Sequence, residues 1–422
     1  MRFVYYGLLL LGVLAACTET QELACGQLCP SGQICNVETG ECMTLKSTTP
    51  NPNETGLYNS MIMGPEGRLW VATHTQAQGA LLLQRFNSNG DLENSQVVDP
   101  GPQTGFYPSL ARADDGRFHI AYYNREQGKA RFATLDKGSW TIEESENTES
   151  IDSGQWMSMT LDGNGGRHVA YQDITHGRLV MESLDSAACR PNWANPQNKL
   201  PGSKHYGAYA SIGISGKTKE TAQLVASFYD ETGGNLVLAT CYGALLSFQL
   251  ADGHNTKTDT NTGNVGLWSS LAIEPKSRKP AVAYFDQTHG TLKYVQSQQG
   301  ALVVAVVDDG IRSLTPTRHL VGQHAALEFN SATGRPRIAY LDSTARAVRL
   351  AVRSQHGSWS STKLVSLDTH LIGGLGMGVE LVLNKEDRAW VLWGKWQLKD
   401  GNIHTETELM SCDVGQNCGE LP

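Results

Sequence analysis

The chain has 422 residues, a formal net charge of −8 at pH 7, 44 glycines and nine cysteines. This acidic balance disfavours a nucleic-acid partner, because binding phosphate calls for a basic surface. Beyond the first residues no stretch approaches eighteen continuous apolar positions, so no second helical membrane span is expected.

The chain opens MRFVYYGLLLLGVLAAC, with one positive charge, Arg2, before an apolar run from Leu8 to Ala16. The run is too short to cross a hydrocarbon core of roughly 30 Å and has the layout of a secretory signal. It ends in Leu14-Ala15-Ala16-Cys17, which resembles a bacterial lipobox. That resemblance implies a lipoprotein signal peptide over 1–16, an acylated Cys17 and a lipidated N-terminus over 17–24. Thr18, rather than Asp, follows the cysteine, which favours the outer membrane. A diacylglyceryl group and an amide-linked acyl chain together anchor stably, where one chain alone is marginal.

Export exposes the chain to an oxidising compartment in which thiols pair. Nine cysteines less Cys17 leave eight, an even number. Cys25, Cys29, Cys35 and Cys42 crowd into CGQLCPSGQICNVETGEC, which reads as a small two-disulfide knot over 25–42. A zinc site is the rival reading, but no Cys-x-x-Cys pair occurs. Cys412 and Cys418 close a short C-terminal loop, and Cys189 with Cys241 remain as the last pair. Similar knots follow the lipobox in surface lipoproteins of myxobacteria and their relatives. The next segment, MTLKSTTPNPNET, makes 43–56 an extended polar tether.

From residue 57 to 422 the chain repeats itself. Copies of one pattern begin at residues 68, 117, 167, 223, 280, 336 and 388, a spacing of 49 to 57 residues. RFHIAYYNREQGKARFAT, RHVAYQDITHGRLVMES, QLVASFYDETGGNLVLAT, PAVAYFDQTHGTLKYV and PRIAYLDSTARAVRLAV carry it clearly. RLWVATHTQAQGALLLQRF and RAWVLWGKWQLKDGNIHTE carry it more weakly. In each unit a short apolar run precedes a polar turn, then two alternating runs flank a D-x-T-x-G turn, and a variable run closes the unit. Period-two runs of four to seven residues split by Gly, Asp and Asn are strands. Four strands in about 50 residues form one blade, and seven blades close into a ring that buries both faces of each. The expected fold is all-β, a seven-bladed β-propeller of four-stranded antiparallel blades. The repeat resembles that of bacterial surface propellers with the pattern S-L-A-x…G-R-P-x-I-A-Y-x-D…G-x-L. It lacks the Ser-x-Asp-x-Gly-x-Thr-Trp boxes of sialidases and the Trp-Asp signature of WD repeats.

Two series within the repeat point to one face. The hairpin acid is Asn124, Asp173, Asp230, Asp286 and Asp342, with Thr75 and Lys395 in the end blades. The link before each first strand reads Gly-x-aromatic-x-Ser, which gives Tyr58, Tyr107, Trp156, Tyr209 and Trp268, then His324 and Gly378 in the last two blades. Repetition by itself favours a structural role: Asp can fix its own turn, and Ser can bond to the next blade. The functional alternative is a binding funnel with the aromatics around the channel and the acids outside them. No Gly-x-Ser-x-Gly, His-Glu-x-x-His, phosphate loop or EF-hand pattern occurs. Arg68, Arg117, Arg167, Arg335 and Arg388 sit at the opposite turns, and His176 and His289 are hairpin residues of separate blades. The expectation is therefore a protein without catalytic, metal or cofactor sites, anchored to the membrane by lipid, whose propeller binds a protein or a polysaccharide. A glycan lyase or hydrolase, and a structural subunit of an envelope complex, are the alternatives.

Overall fold

The computed structural model describes the backbone of two short strands, Gln33–Asn36 and Glu41–Thr44, and most of residues 55–414. The segments 57, 76–77, 146–149, 217–221, 256–259, 313–317, 368–377 and 400–401 fall outside the described residues. So do Cys17, Cys25, Cys29 and Cys418, and with them the expected anchor and most of the knot. The two short strands pair antiparallel, with Cys35 opposite Cys42 in register.

The body is a seven-bladed propeller of antiparallel sheets. Blades one (59–99), two (106–144), four (206–252), five (265–308) and six (321–366) have four strands each. Among the described residues blades three (153–183) and seven (380–413) have three. In blade three the chain leaves the sheet after Ser183 and runs through an irregular insertion with a short 3-10 turn at Pro196–Asn198. No helix among the described residues is long and apolar enough to cross a membrane.

Each seam between blades holds its own apolar core, because a lone blade has two uncovered faces. Leu83 packs with Ile120, Phe132 with Val169, Met181 with Ala226, and Val225 with Val282. Tyr294 packs with Ile338, and Leu350 with Val391. Met61, Val71 and Phe86 of blade one meet Trp390 and Leu392 of blade seven, so the ring closes by packing. Gly56 passes against the Glu406 carbonyl, and the Thr407 hydroxyl donates to that of Thr55 at 2.9 Å.

The repeated serine latches each blade to the next. The Oγ of Ser60, Ser109, Ser158, Ser211 and Ser270 accepts from the backbone N–H of Leu110, Met159, Ile212, Leu271 and Leu327, at 2.9–3.1 Å. Blade six has Ala326 at this position. Blade seven has Glu380, whose carboxyl accepts from Met61 N–H and latches blade seven to blade one.

Cys189 and Cys241 form the expected clamp between blades three and four, with Cα atoms 5.7 Å apart. The insertion also bridges the end of the third strand of blade four, with Arg190 N–H donating to the Gly243 carbonyl at 2.7 Å. The disulfide closes a loop of 52 residues, for which chain entropy gives about 4 kcal/mol. Cys189→Ser with Cys241→Ser is expected to lower stability by roughly 2–4 kcal/mol in urea titrations, with m rising because the unfolded chain expands. A loss under about 0.5 kcal/mol would show that the seam cores hold these blades unaided.

Candidate ligand-binding site at the channel mouth

The hairpins and the links that precede the first strands meet on one face, as expected. The hairpin carbonyls of Gly79, Gly128, Gly177, Gly234 and Gly290 accept from the link N–H groups of Thr104, Ser153, Tyr206, Val265 and Val321. The hairpin threonine grips the link before its own blade. Thr175 Oγ1 accepts from Ile151 and Asp152 N–H, and Thr232 from Lys204 and His205 N–H. Thr288 and Thr344 do the same with Asn264 and Leu320. The D-x-T-x-G motif is thus the device that sews hairpin to link.

The hairpin acids stay inside that device. Asp173, Asp230, Asp286 and Asp342 are buried and do not line the mouth. Asp286 accepts from His289 N–H at 3.0 Å, lies 2.8 Å from His289 Nδ1 and pairs with Lys293 at 2.7 Å. Asp173 treats His176 the same way and pairs with Arg178. Asp342 accepts from Ala345 N–H and faces His319, Arg312 and Arg349. Asp230 takes Thr232 N–H and the Ser203 hydroxyl. Among the described residues no group of three or more His, Cys, Asp or Glu could hold a metal ion.

The link aromatics do converge. Tyr58, Tyr107, Trp156, Tyr209, Trp268 and His324 surround an opening of about 200 Å³, with Gly378 completing the circle. Neighbouring ring centroids lie 4.8, 4.8, 4.1, 5.3 and 5.3 Å apart. Their planes differ by 43–62°, close to the turn of about 51° between blades of a seven-fold ring. Rings lying edge to edge in one plane cannot approach so closely. Each therefore turns part of its face to the next, and the set forms an iris.

The backbone beneath the iris is unusual. Tyr107, Trp156, Tyr209, Trp268 and His324 all have φ between 49° and 55°. Each sits where the pairing of the first and second strands slips, in a β-bulge. A bulge re-aims one side chain, here toward the channel. A non-glycine residue in the left-handed region costs roughly 1–2 kcal/mol. The glycine two positions earlier makes the bulge possible. Gly105, Gly154, Gly207, Gly266 and Gly322 have φ from 84° to 129°, and a Cβ on any of them lies 2.8–2.9 Å from the third strand of the preceding blade.

The iris presents neutral donors. Burial first, then the hydrogen-bonded Tyr58 hydroxyl, hold the Tyr107 phenol well above its usual range. Tyr209 also bears on Tyr107 electrostatically, although Trp156 stands between them. Burial pushes His324 down to about 4, so its imidazole is neutral near pH 7, and its Nε2 has no hydrogen-bond partner among the described residues.

The other end of the channel is wider. A depression of about 980 Å³ runs from first-strand residues Thr160, Gly213, Ala272 and Glu328 to Tyr242, beside the disulfide. Burial pushes Glu328 up to about 7, and it pushes Glu380, which lines the mouth, up to about 8. Each carboxyl departs from a position that is Ser, Thr, Ala or Gly in most other blades, but the sequence does not show that either is buried. A second series also goes unread there. Asp99, Asp252 and Asp308 end the outer strands and accept the buried hydroxyls of Tyr122, Tyr284 and Tyr340 from the next blade. Its signal is visible in VVDP, LADG and VVDD.

No protein-family model and no curated protein sequence matches the chain. Solved structures do. A polysaccharide lyase, an ulvan lyase, is 11% identical with a TM-score of 0.49, over 87% of this chain and 98% of its own. The intramolecular trans-sialidase of Ruminococcus gnavus is 10% identical with a TM-score of 0.44, over 86% and 95%. Drosophila Plexin A, solved with Semaphorin 1b, is 9% identical with a TM-score of 0.44, over 85% of each chain. At such identities the likeness is one of fold. The expectation of a chain without catalysis is corrected on this finding, since the matched structures include a polysaccharide lyase and a trans-sialidase.

Proposed function

We propose that the protein is a glycan-recognising propeller, tethered to the outer membrane through Cys17, that takes up a saccharide unit at the aromatic mouth. The observation that carries this reading is the strained iris. Five consecutive blades hold a large ring at a left-handed backbone position where Gly would cost less. Phenol, indole and imidazole groups in a small opening suit sugar hydroxyls and ring C–H faces. The lipobox-like Leu14-Ala15-Ala16-Cys17 supports the tether.

The test is a binding screen of residues 18–422 against envelope and capsular polysaccharides. All seven seam cores lie within residues 58–414, so this portion retains the fold. Trp156→Ala and Trp268→Ala are expected to weaken a glycan hit by roughly tenfold or more each, as loss of a buried aromatic anchor does. Ala272→Trp, which fills the opposite end of the channel, is expected to leave it unchanged. The reverse pattern would move the site to the wide end. A second reading, cleavage of a glycan held in the larger depression instead of at the mouth, is favoured by Glu328, a carboxyl raised toward neutrality on the wall of that depression. The same incubations read it out as product that appears with the parent chain and not with Glu328→Gln.

A further inference from the structure

One blade differs from the others at its rim. The outer strand of blade five, Ala301–Asp308, reads ALVVAVVD and, among the described residues, pairs on one side only, with Thr291–Gln298. Its first seven residues include no charge, no Pro and no Gly. Val303, Val304 and Val306 are 41%, 38% and 51% exposed, and Ile311 just beyond is 63% exposed. Side chains alternate across a strand, so Val303 lies on one face and Val304 and Val306 on the other. Neither face of this edge is polar.

The fourth strands of blades one, two, four and six are protected. Leu92–Asp99 includes Glu93, Ser139–Glu144 ends in two glutamates, and Trp359–Ser366 includes Lys363. Leu245–Asp252 is uncharged up to its last residue, but it exposes Ser247 and Gln249 between apolar neighbours. Charged or polar residues on an edge keep a free row of backbone N–H and C=O groups from pairing with another chain. Blade five has dispensed with that protection.

We propose that this edge joins two copies of the chain, the outer strands of their fifth blades pairing antiparallel about a two-fold axis. The strand suits itself. Antiparallel pairing of Ala301–Asp308 with its own copy sets valine and alanine against one another, and β-branched cross-strand pairs are favourable. Asp308 and Asp309 of each copy fall opposite residues 299–301 of the other, at the two ends of the new ladder. No like charges meet. The two four-stranded blades become one eight-stranded sheet, and the symmetry closes at two copies. A single ladder of eight residues lies at the small end of specific interfaces, so the dimer is weak in solution and strengthens where chains are concentrated on a surface.

The test is sedimentation equilibrium of residues 18–422 over a concentration series reaching about 200 µM, a range suited to a small interface. The mass is expected to climb from one copy toward two. Val304→Lys and Val306→Lys, both at exposed positions, are expected to weaken association at least roughly tenfold with an unchanged melting temperature. Val304→Thr, still β-branched and uncharged, is expected to retain it. Three results overturn the proposal: one copy at every concentration, association indifferent to either lysine, or open-ended growth past two copies. A parent chain that stays single yet captures an extended valine-rich peptide on this strand would assign the edge to a foreign strand instead.

Discussion

Gly266→Ala is expected to destabilise the propeller by roughly 3–5 kcal/mol, measured from urea midpoints at constant m. Two costs add. Gly266 has φ +109°, outside even the left-handed pocket that a few other residues tolerate. A Cβ there lies 2.9 Å from Leu236 Cα and 3.0 Å from its amide nitrogen, and that backbone is held in the third strand of blade four. The added methyl must push two blades apart or flatten the bulge that carries Trp268. Gly300→Ala is the control. Its φ is +90°, but nothing lies within 4 Å of the new methyl, so only the backbone term of about 1 kcal/mol remains. Equal losses for the two variants would refute the close-approach argument. The same reasoning covers Gly154, Gly207 and Gly322, each with a backbone atom 2.8–2.9 Å from the built Cβ.

Stability is expected to fall as pH rises from 6.5 to about 8, by about 2 kcal/mol. Glu380 supplies the effect: burial raises its carboxyl from 4.5 to about 8 while it accepts from Met61 N–H at the ring closure. Between the unfolded and folded values the native state binds more protons than the unfolded chain, so unfolding free energy declines by up to ~1.4 kcal/mol per pH unit. The contribution is fully present below 4.5 and gone above 8. Glu328, raised to about 7, adds to the slope at the lower end of this window. Below 6.5 the buried histidines act in the opposite sense. His74 and His324 are lowered to about 4, so stability gained from them rises with pH between 4 and 6.5 and masks the glutamates. The window above 6.5 is therefore the diagnostic one. Glu380→Ser installs the residue that latches five other seams and removes the titrating group. It is expected to flatten the profile between pH 7 and 8 while the ring stays closed. An unchanged slope in Glu380→Ser would assign the pH dependence elsewhere.

The seven-fold repeat is legible in the sequence because each blade solves the same burial problem with the same alternation of apolar and polar residues. From Asp286 and its cousins one reads a hairpin, and from the spacing a ring. Cys189 and Cys241 pair as their equivalent positions on neighbouring blades suggest. The aromatics Tyr107, Trp156, Tyr209 and Trp268 are legible as a mouth, since they share one place in the repeat and the fold brings those places together. Their mutual packing is not. Whether a ring shows its face to solvent or to its neighbour depends on a bulge whose φ of about 50° is set by backbone pairing across the blade. Glu380 reads as a departure from a serine pattern, yet its service at the closure appears only when blade seven meets blade one. Local patterning, then, determined the fold, the blade number and the side of the ring on which the aromatics gather, because these follow from periodicity within about fifty residues. The closure of the ring, the perturbed carboxyls of its channel and the bare edge of blade five were decided by tertiary structure, because burial and exposure there depend on residues brought together from different blades.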